Sequence, residues 1–201
     1  MKKFLIIFTV SLFTPIFLSS QNFEKIYESM KTKDKIWCLN NLSSVLIAKE
    51  ISEEVMFTMD SLNQISYLGG NSEGGVFDAF RHIYWMYSLS NEIGPKKAKR
   101  IGEIYENYGE YMFNNSYMSG YDSVGRVMDL FNNDIGISLS KEKIPYSLIF
   151  NEIDNILRDG RAKVVKKNDL GESLDIDGNV IQDTIWKQTW QNNRILINSS
   201  L

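Results

Sequence analysis

Apolar residues recur along most of this chain at steps of three and four, the period of an amphipathic helix. Between residues 36 and 66 the series Leu39, Leu42, Leu46, Ile47, Ile51, Val55, Met59 and Leu62 predicts one long helix or two short ones. A shorter amphipathic stretch over 23–31 precedes it. Leu68-Gly69-Gly70-Asn71 and then Gly74-Gly75 break the pattern. Residues 76–93 predict the most aromatic helix, with Phe77, Phe80, Tyr84, Trp85 and Tyr87. Gly94-Pro95 ends it and opens the next, since glycine suits the residue past a helix end and proline the first helical position. That next helix, 95–113, has the stripe Ala98, Ile101, Tyr105, Tyr108 and Met112, and its basic start (Lys96, Lys97, Lys99, Arg100) reads as solvated. A polar loop over 114–121 leads to a short helix over 122–132 that ends near Asn132-Asn133. Pro145 opens a helix to Asp159, and Gly160 closes it.

Beyond Gly160 the texture changes. Residues 162–165 are β-prone, and Asp177-Gly178 between Leu174-Asp-Ile176 and Val180-Ile181 predicts a hairpin turn. The acidic run there is no EF-hand. Placing Gly178 at the sixth loop position puts Ser173 first and Thr184 twelfth, where Asp and Glu are required. Trp186 and Trp190, four apart, predict a final short helix packed on the body. The pattern gives a mainly α, single helical domain over residues 21–201 with a small C-terminal β hairpin and no internal repeat.

The first twenty residues stand apart. Lys2 and Lys3 precede an apolar run from Phe4 to Leu18, followed by Ser19-Ser20. That is the layout of a secretory signal peptide over residues 1–20, cleaved after Ser20. Fifteen apolar residues interrupted by Pro15 fall short of the roughly 20 that span a bilayer, so no stable membrane anchor is expected after cleavage. The expected location is secreted or periplasmic. Removing the segment takes two Lys from 22 basic residues and none from 25 acids, leaving net −5. That balance predicts no nucleic-acid partner. The apolar and charged shares, 43% and 23%, exclude disorder and a multi-span membrane protein. One Cys and one His exclude an intrachain disulfide and a multi-histidine metal site. Cys38 reads as a buried small apolar residue.

Three segments carry polar residues where helices would otherwise be apolar. In Asp78-Ala-Phe-Arg81-His82-Ile-Tyr-Trp85, Asp78 and His82 are four apart and share a face, so the carboxylate can orient the imidazole. In Gly102-Glu-Ile-Tyr105-Glu106-Asn-Tyr-Gly109, the two glycines flank Glu106 on one face and would let a neighbour approach and bury it. In Met128-Asp129-Leu-Phe131-Asn132-Asn133, the residues Asp129, Asn132 and Asn133 share a face.

With these motifs the chain resembles a set of uncharacterised bacterial helical domains. They are marked by an Asp-Ala-Phe-Arg-His-x-x-Trp helix, a later His-Glu pair and a Met-Asp-Leu-His-Asn-Asn-x-x-Gly segment. Here the motifs stand at Asp78–His82 with Trp85, at Tyr105-Glu106, and at Met128–Asn133 with Gly136. The resemblance covers about residues 75–140, with the segment around Trp37 included. It implies a helical bacterial domain and supplies no reaction. Two histidines of the resembled pattern are replaced, by Tyr105 and Phe131. Restoring both is expected to set three imidazoles beside Glu106 and Asp129, a ligand set for a transition metal.

Two functions follow. One is a hydrolase in which His82 is general base oriented by Asp78, Glu106 and Asp129 act as acids or hard-metal ligands, and Arg81, Asn132 and Asn133 hold a polar substrate or developing charge. The other is a non-catalytic interaction or structural domain whose polar cluster only locks helices together. The partner would be a protein or a small molecule. No cofactor and no metal is expected: zinc, copper and nickel lack ligands, and Arg81 is expected to neutralise part of the carboxylate cluster Asp78, Glu106 and Asp129 that would otherwise suit Ca²⁺ or Mg²⁺.

Overall fold

The computed structural model describes residues 30–69, 73–115 and 120–200; the expected signal segment, nearly all of the helix expected at 23–31 and the middle of the 114–121 loop lie outside them. The mainly α architecture stands as expected. Helices α1 (Thr32–Asn40) and α2 (Leu42–Gln64) are separated at Asn41, which leaves helical geometry. The buried face of α2 is Val45, Ala48, Ser52, Val55 and Met59. Leu39, Leu46 and Ile47 of the predicted stripe are instead partly exposed. The phase was hidden because small and polar residues share the buried face. Ser52 belongs there because it donates to the Ala48 carbonyl and accepts from the Trp85 indole at 3.0 Å.

Helix α3 (Val76–Ile93) is the centre of the domain, with Phe80, Ile83, Met86 and Leu89 fully buried. Gly94 turns the chain at positive φ into α4 (Pro95–Asn114). The basic start of α4 is not simply solvated. Arg100 pairs with the buried Asp34 of α1, Lys97 donates to Ser44 of α2, and Lys99 meets Asp134 on the next helix. Cys38 is buried as expected, and desolvation lifts its thiol to about 11, so it stays protonated.

The next helix, α5 (Ser123–Lys141), runs well past the expected end at Asn132-Asn133. Both asparagines are buried with partners from outside their helix, so they do not act as stop signals. The close pairing of α5 with α3 depends on Gly136. A Cβ there would overlap the Ile83 carbonyl oxygen and stand 2.8 Å from the Tyr87 amide nitrogen. A 3-10 turn at Tyr146–Leu148 leads into α6 (Ile149–Arg158).

The small sheet is not the expected hairpin. Strand β1 (Lys163–Val165) pairs antiparallel with β2 (Leu196–Asn198), about thirty residues later. The Asp177-Gly178 turn closes only one isolated bridge, Leu174 with Val180. Between the strands lies α7 (Asp183–Trp186), with Trp186 buried and Trp190 packed 5.4 Å from the Phe113 ring of α4. Strand β1 is tied to the helices. Val165 donates to the Gly74 carbonyl, and Asn132 bonds both the carbonyl and the amide of Lys163. None of the described helices is long and apolar enough to cross a membrane.

Candidate functional site

Helix α3 begins at a Gly74-Gly75 turn, and Asp78 lies in its first turn. Its Oδ2 accepts the N–H of Gly74, the residue before the N-cap, at 2.7 Å. Its Oδ1 pairs with Arg81 and lies 3.6 Å from His82 Nε2. His82, one turn further, is 4% exposed. Its Nδ1–H donates to Asn133 Oδ1 of α5 at 3.1 Å, which fixes the tautomer. Nε2 therefore carries the lone pair, and it faces Asp129 Oδ1 at 3.3 Å. Burial lowers the His82 pKa to about 4, outweighing the pull of Asp78. Burial, then the charges of Glu106 and Asp78, push Asp129 well above the usual carboxylate range. Burial thus works against both charged forms, the imidazolium of His82 and the carboxylate of Asp129.

Glu106, on α4, is 6% exposed, and its Oε1 has no hydrogen-bond partner among the described residues. Burial raises its pKa to about 8, although Arg126 and Arg81 pull it down. The flanking glycines act as their spacing suggests. Gly102 stands against Asn133 and Met86, and Gly109 against the Tyr121 ring, where a Cβ would come within 2.6 Å.

These groups face one cavity of about 350 Å³. Asp78, Arg81, His82, Glu106 and Asp129, expected from sequence, all line it. Asn132 and Asn133 do not. Asn132 pins β1 to α5, and Asn133 holds the imidazole from behind. The wall also contains residues that the motifs did not indicate: Glu73, Tyr121, Asp122, Arg126, Lys187 and Arg194. Arg126 was legible, because it lies one turn before Asp129 on the same helix. Asp122 had a signal too, as the N-cap of α5, with Oδ1 accepting the Gly125 N–H at 2.6 Å. Nothing local marks Arg194, whose guanidinium holds Asp122 Oδ2 at 2.6 and 2.8 Å and lies 3.7 Å from the Trp186 ring centre. A second pocket, about 60 Å³ and mostly apolar, lies along Ser52, Val55, Met56 and Trp85 and shares Arg81, His82 and Tyr105 with the first.

The two replaced motif positions separate. Tyr105 lines both cavities and packs 5.4 Å from the Trp85 ring. Phe131 is 42% exposed beneath the Lys163 ammonium, away from the cavity wall. An imidazole at 131 therefore cannot join Glu106 and Asp129 without rearrangement, and the expected three-imidazole set reduces to two. Asp78, His82 and Asp129 each bring one ligand atom within 4.8 Å of the others.

A family model described as a domain of unknown function, DUF6973, matches residues 35–161. That stretch holds most of α1, all of α2 to α6 and every motif residue in the cavity, and the chain belongs to this family. No solved structure matches the chain.

Proposed function

We propose that this member of the DUF6973 family is an exported hydrolase acting on a polar substrate in the cavity between α3, α4, α5 and the C-terminal segment. The observation that carries the reading is Glu106. A buried carboxyl oxygen with no hydrogen-bond partner among the described residues, here Oε1, destabilises a fold, and a purely structural network would pair or remove it. Here it faces a cavity of about 350 Å³, large enough for a small substrate and water. Held near a pKa of about 8, Glu106 is protonated at neutral pH and is the proton donor to a leaving group. His82, Asp78 and Asp129 form the set that activates the attacking water, with the imidazole oriented by Asn133. Arg81 and Arg126 stand where negative charge develops. Asp122 and Arg194 close the wall as a paired, structural element.

The test is a hydrolase screen over esters, phosphoesters and peptidoglycan, run on the wild type beside Glu106→Gln and His82→Gln, each with a melting curve. Turnover lost in both variants while both remain folded supports the reading. Activity that survives Glu106→Gln removes the proposed acid. Variants that only lose stability, with no activity in the wild type, point to the structural alternative.

A further inference from the structure

We infer that Asp78 Oδ1, His82 Nε2 and Asp129 Oδ1 form a binding site for a hard divalent cation of the Mg²⁺ or Mn²⁺ kind. The site's chemical role rests on the hydrolytic reading; its existence does not. Nε2 lies 3.3 Å from the Asp129 oxygen and 3.6 Å from the Asp78 oxygen, and all three atoms lie within 4.8 Å of one another. An octahedral ion with bonds of about 2.0–2.2 Å holds neighbouring ligands roughly 2.8–3.1 Å apart, so the two oxygens need only draw in on the imidazole nitrogen to form one coordination face.

Orientation supports the same conclusion. The Asn133 carbonyl oxygen takes the Nδ1 proton, so the nitrogen facing the carboxylates is the one with a free lone pair. Metal-bound histidines are fixed in this way by a partner behind the ring. The Gly74 amide holds the other oxygen of Asp78, which turns Oδ1 toward the imidazole. All three ligands sit on two helices that pack backbone to backbone at Gly136, a rigid platform.

A second, independent observation is charge. Glu106, more than nine-tenths buried, presents an unpartnered oxygen to the same cavity and exerts the largest electrostatic influence on Asp129. Six carboxylates line the cavity against four cationic side chains. With Glu106 protonated and His82 neutral, five carboxylates against four cationic side chains leave one negative charge, which a cation in the wall would offset. Arg81, expected to neutralise the cluster, pairs with Asp78, and among the described residues no Lys or Arg forms a salt bridge with Asp129 or Glu106. Asp78 Oδ1 has a second lone pair for the ion. One nitrogen among oxygens suits Mg²⁺ or Mn²⁺ better than the Cys- and His-rich sets of structural zinc.

In the hydrolytic reading a cation held by Asp78, His82 and Asp129 would supply Lewis acidity to an attacking water. The water would bond through oxygen to the substrate's electrophilic centre and give its proton to a cavity carboxylate. The bond to the leaving group would break as that group takes the Glu106 proton, and Glu106 would be reprotonated from the carboxylate that received the water's proton.

The experiment is a Mn²⁺ titration of the EDTA-treated exported chain, followed by calorimetry and by the electron paramagnetic resonance signal of free Mn²⁺. One ion per chain is expected, displaced by excess Mg²⁺, with a rise in melting temperature. Asp129→Asn should weaken binding at least tenfold while melting no lower than the metal-free wild type. Asn133→Ala should weaken it roughly 10–100-fold, as loss of a partner behind a ligand does. No binding by the wild type at millimolar Mn²⁺, a result that needs no variant, overturns the inference; so does equal affinity in Asp129→Asn. Hydrolysis that EDTA leaves untouched, with no Mn²⁺ bound, would sink the cation site and spare the hydrolase. Mn²⁺ bound with no hydrolysis of any substrate would do the reverse.

Discussion

Replacing Glu106 by Gln should make the metal-free protein more stable, and increasingly so as pH rises. The carboxyl changes from 4.5 in the unfolded chain to about 8 in the fold, chiefly because burial penalises its charged form. A folded pKa raised above the unfolded one means that the folded state holds the proton more tightly. Stability from this group is therefore complete below about pH 4.5 and is lost as pH climbs to about 8. At about 1.36 kcal/mol per pH unit, the wild type has lost about 3 kcal/mol at pH 7 and about 4–5 kcal/mol beyond pH 8. Gln has the shape of the protonated acid and does not titrate. Its advantage should be near zero at pH 4.5, about 3 kcal/mol at pH 7, and largest in the alkaline range. Urea unfolding of both proteins in EDTA across this range measures the difference directly. Equal stability at pH 8, or a less stable variant, would show that Arg126 and Arg81 already compensate the carboxylate. Glu106 would then be a structural partner, and the case for a residue kept at a stability cost for chemistry would fall.

Three further outcomes check other parts of the account. Gly136→Ala should destabilise by roughly 2–4 kcal/mol, because the new methyl must push α5 away from the α3 backbone, and a melting curve reads the loss. Arg194→Met should cost about 3–5 kcal/mol by leaving Asp122 buried without its guanidinium, and Asp122→Asn in the same background should restore part of it. The exported protein should have the intact mass of a chain beginning at Gln21; a mass that retains residues 1–20 would contradict the signal-peptide reading.

The helices were legible where apolar periodicity and punctuation agree, as at Gly94-Pro95, where α3 gives way to α4. They were misread where a residue's role comes from across the fold. Asn132 and Asn133 look like a helix end, but one is bonded to β1 and the other to His82, so α5 continues to Lys141. The β2 partner of β1 lies too far along the chain to leave a local signature, whereas the Asp177-Gly178 turn has the signature and only one bridge. In the site, helical spacing brought Asp78, Arg81 and His82 onto one element, and the glycines about Glu106 announced its burial. Spacing could not show that Asn133 lies behind the imidazole rather than in the cavity, or that Phe131 faces outward. Those facts depend on how α5 is rotated against α3, which the contact at Gly136 sets.

The most direct test of the hydrolytic site is the pH dependence of kcat/KM on whichever substrate the screen identifies. With Glu106 as proton donor, the rate should hold through neutral pH and fall as Glu106 deprotonates near pH 8. In Glu106→Gln the residual rate should be far lower and should lack that fall. A wild-type profile flat through pH 9, or the same descending limb in Glu106→Gln, would contradict the assignment.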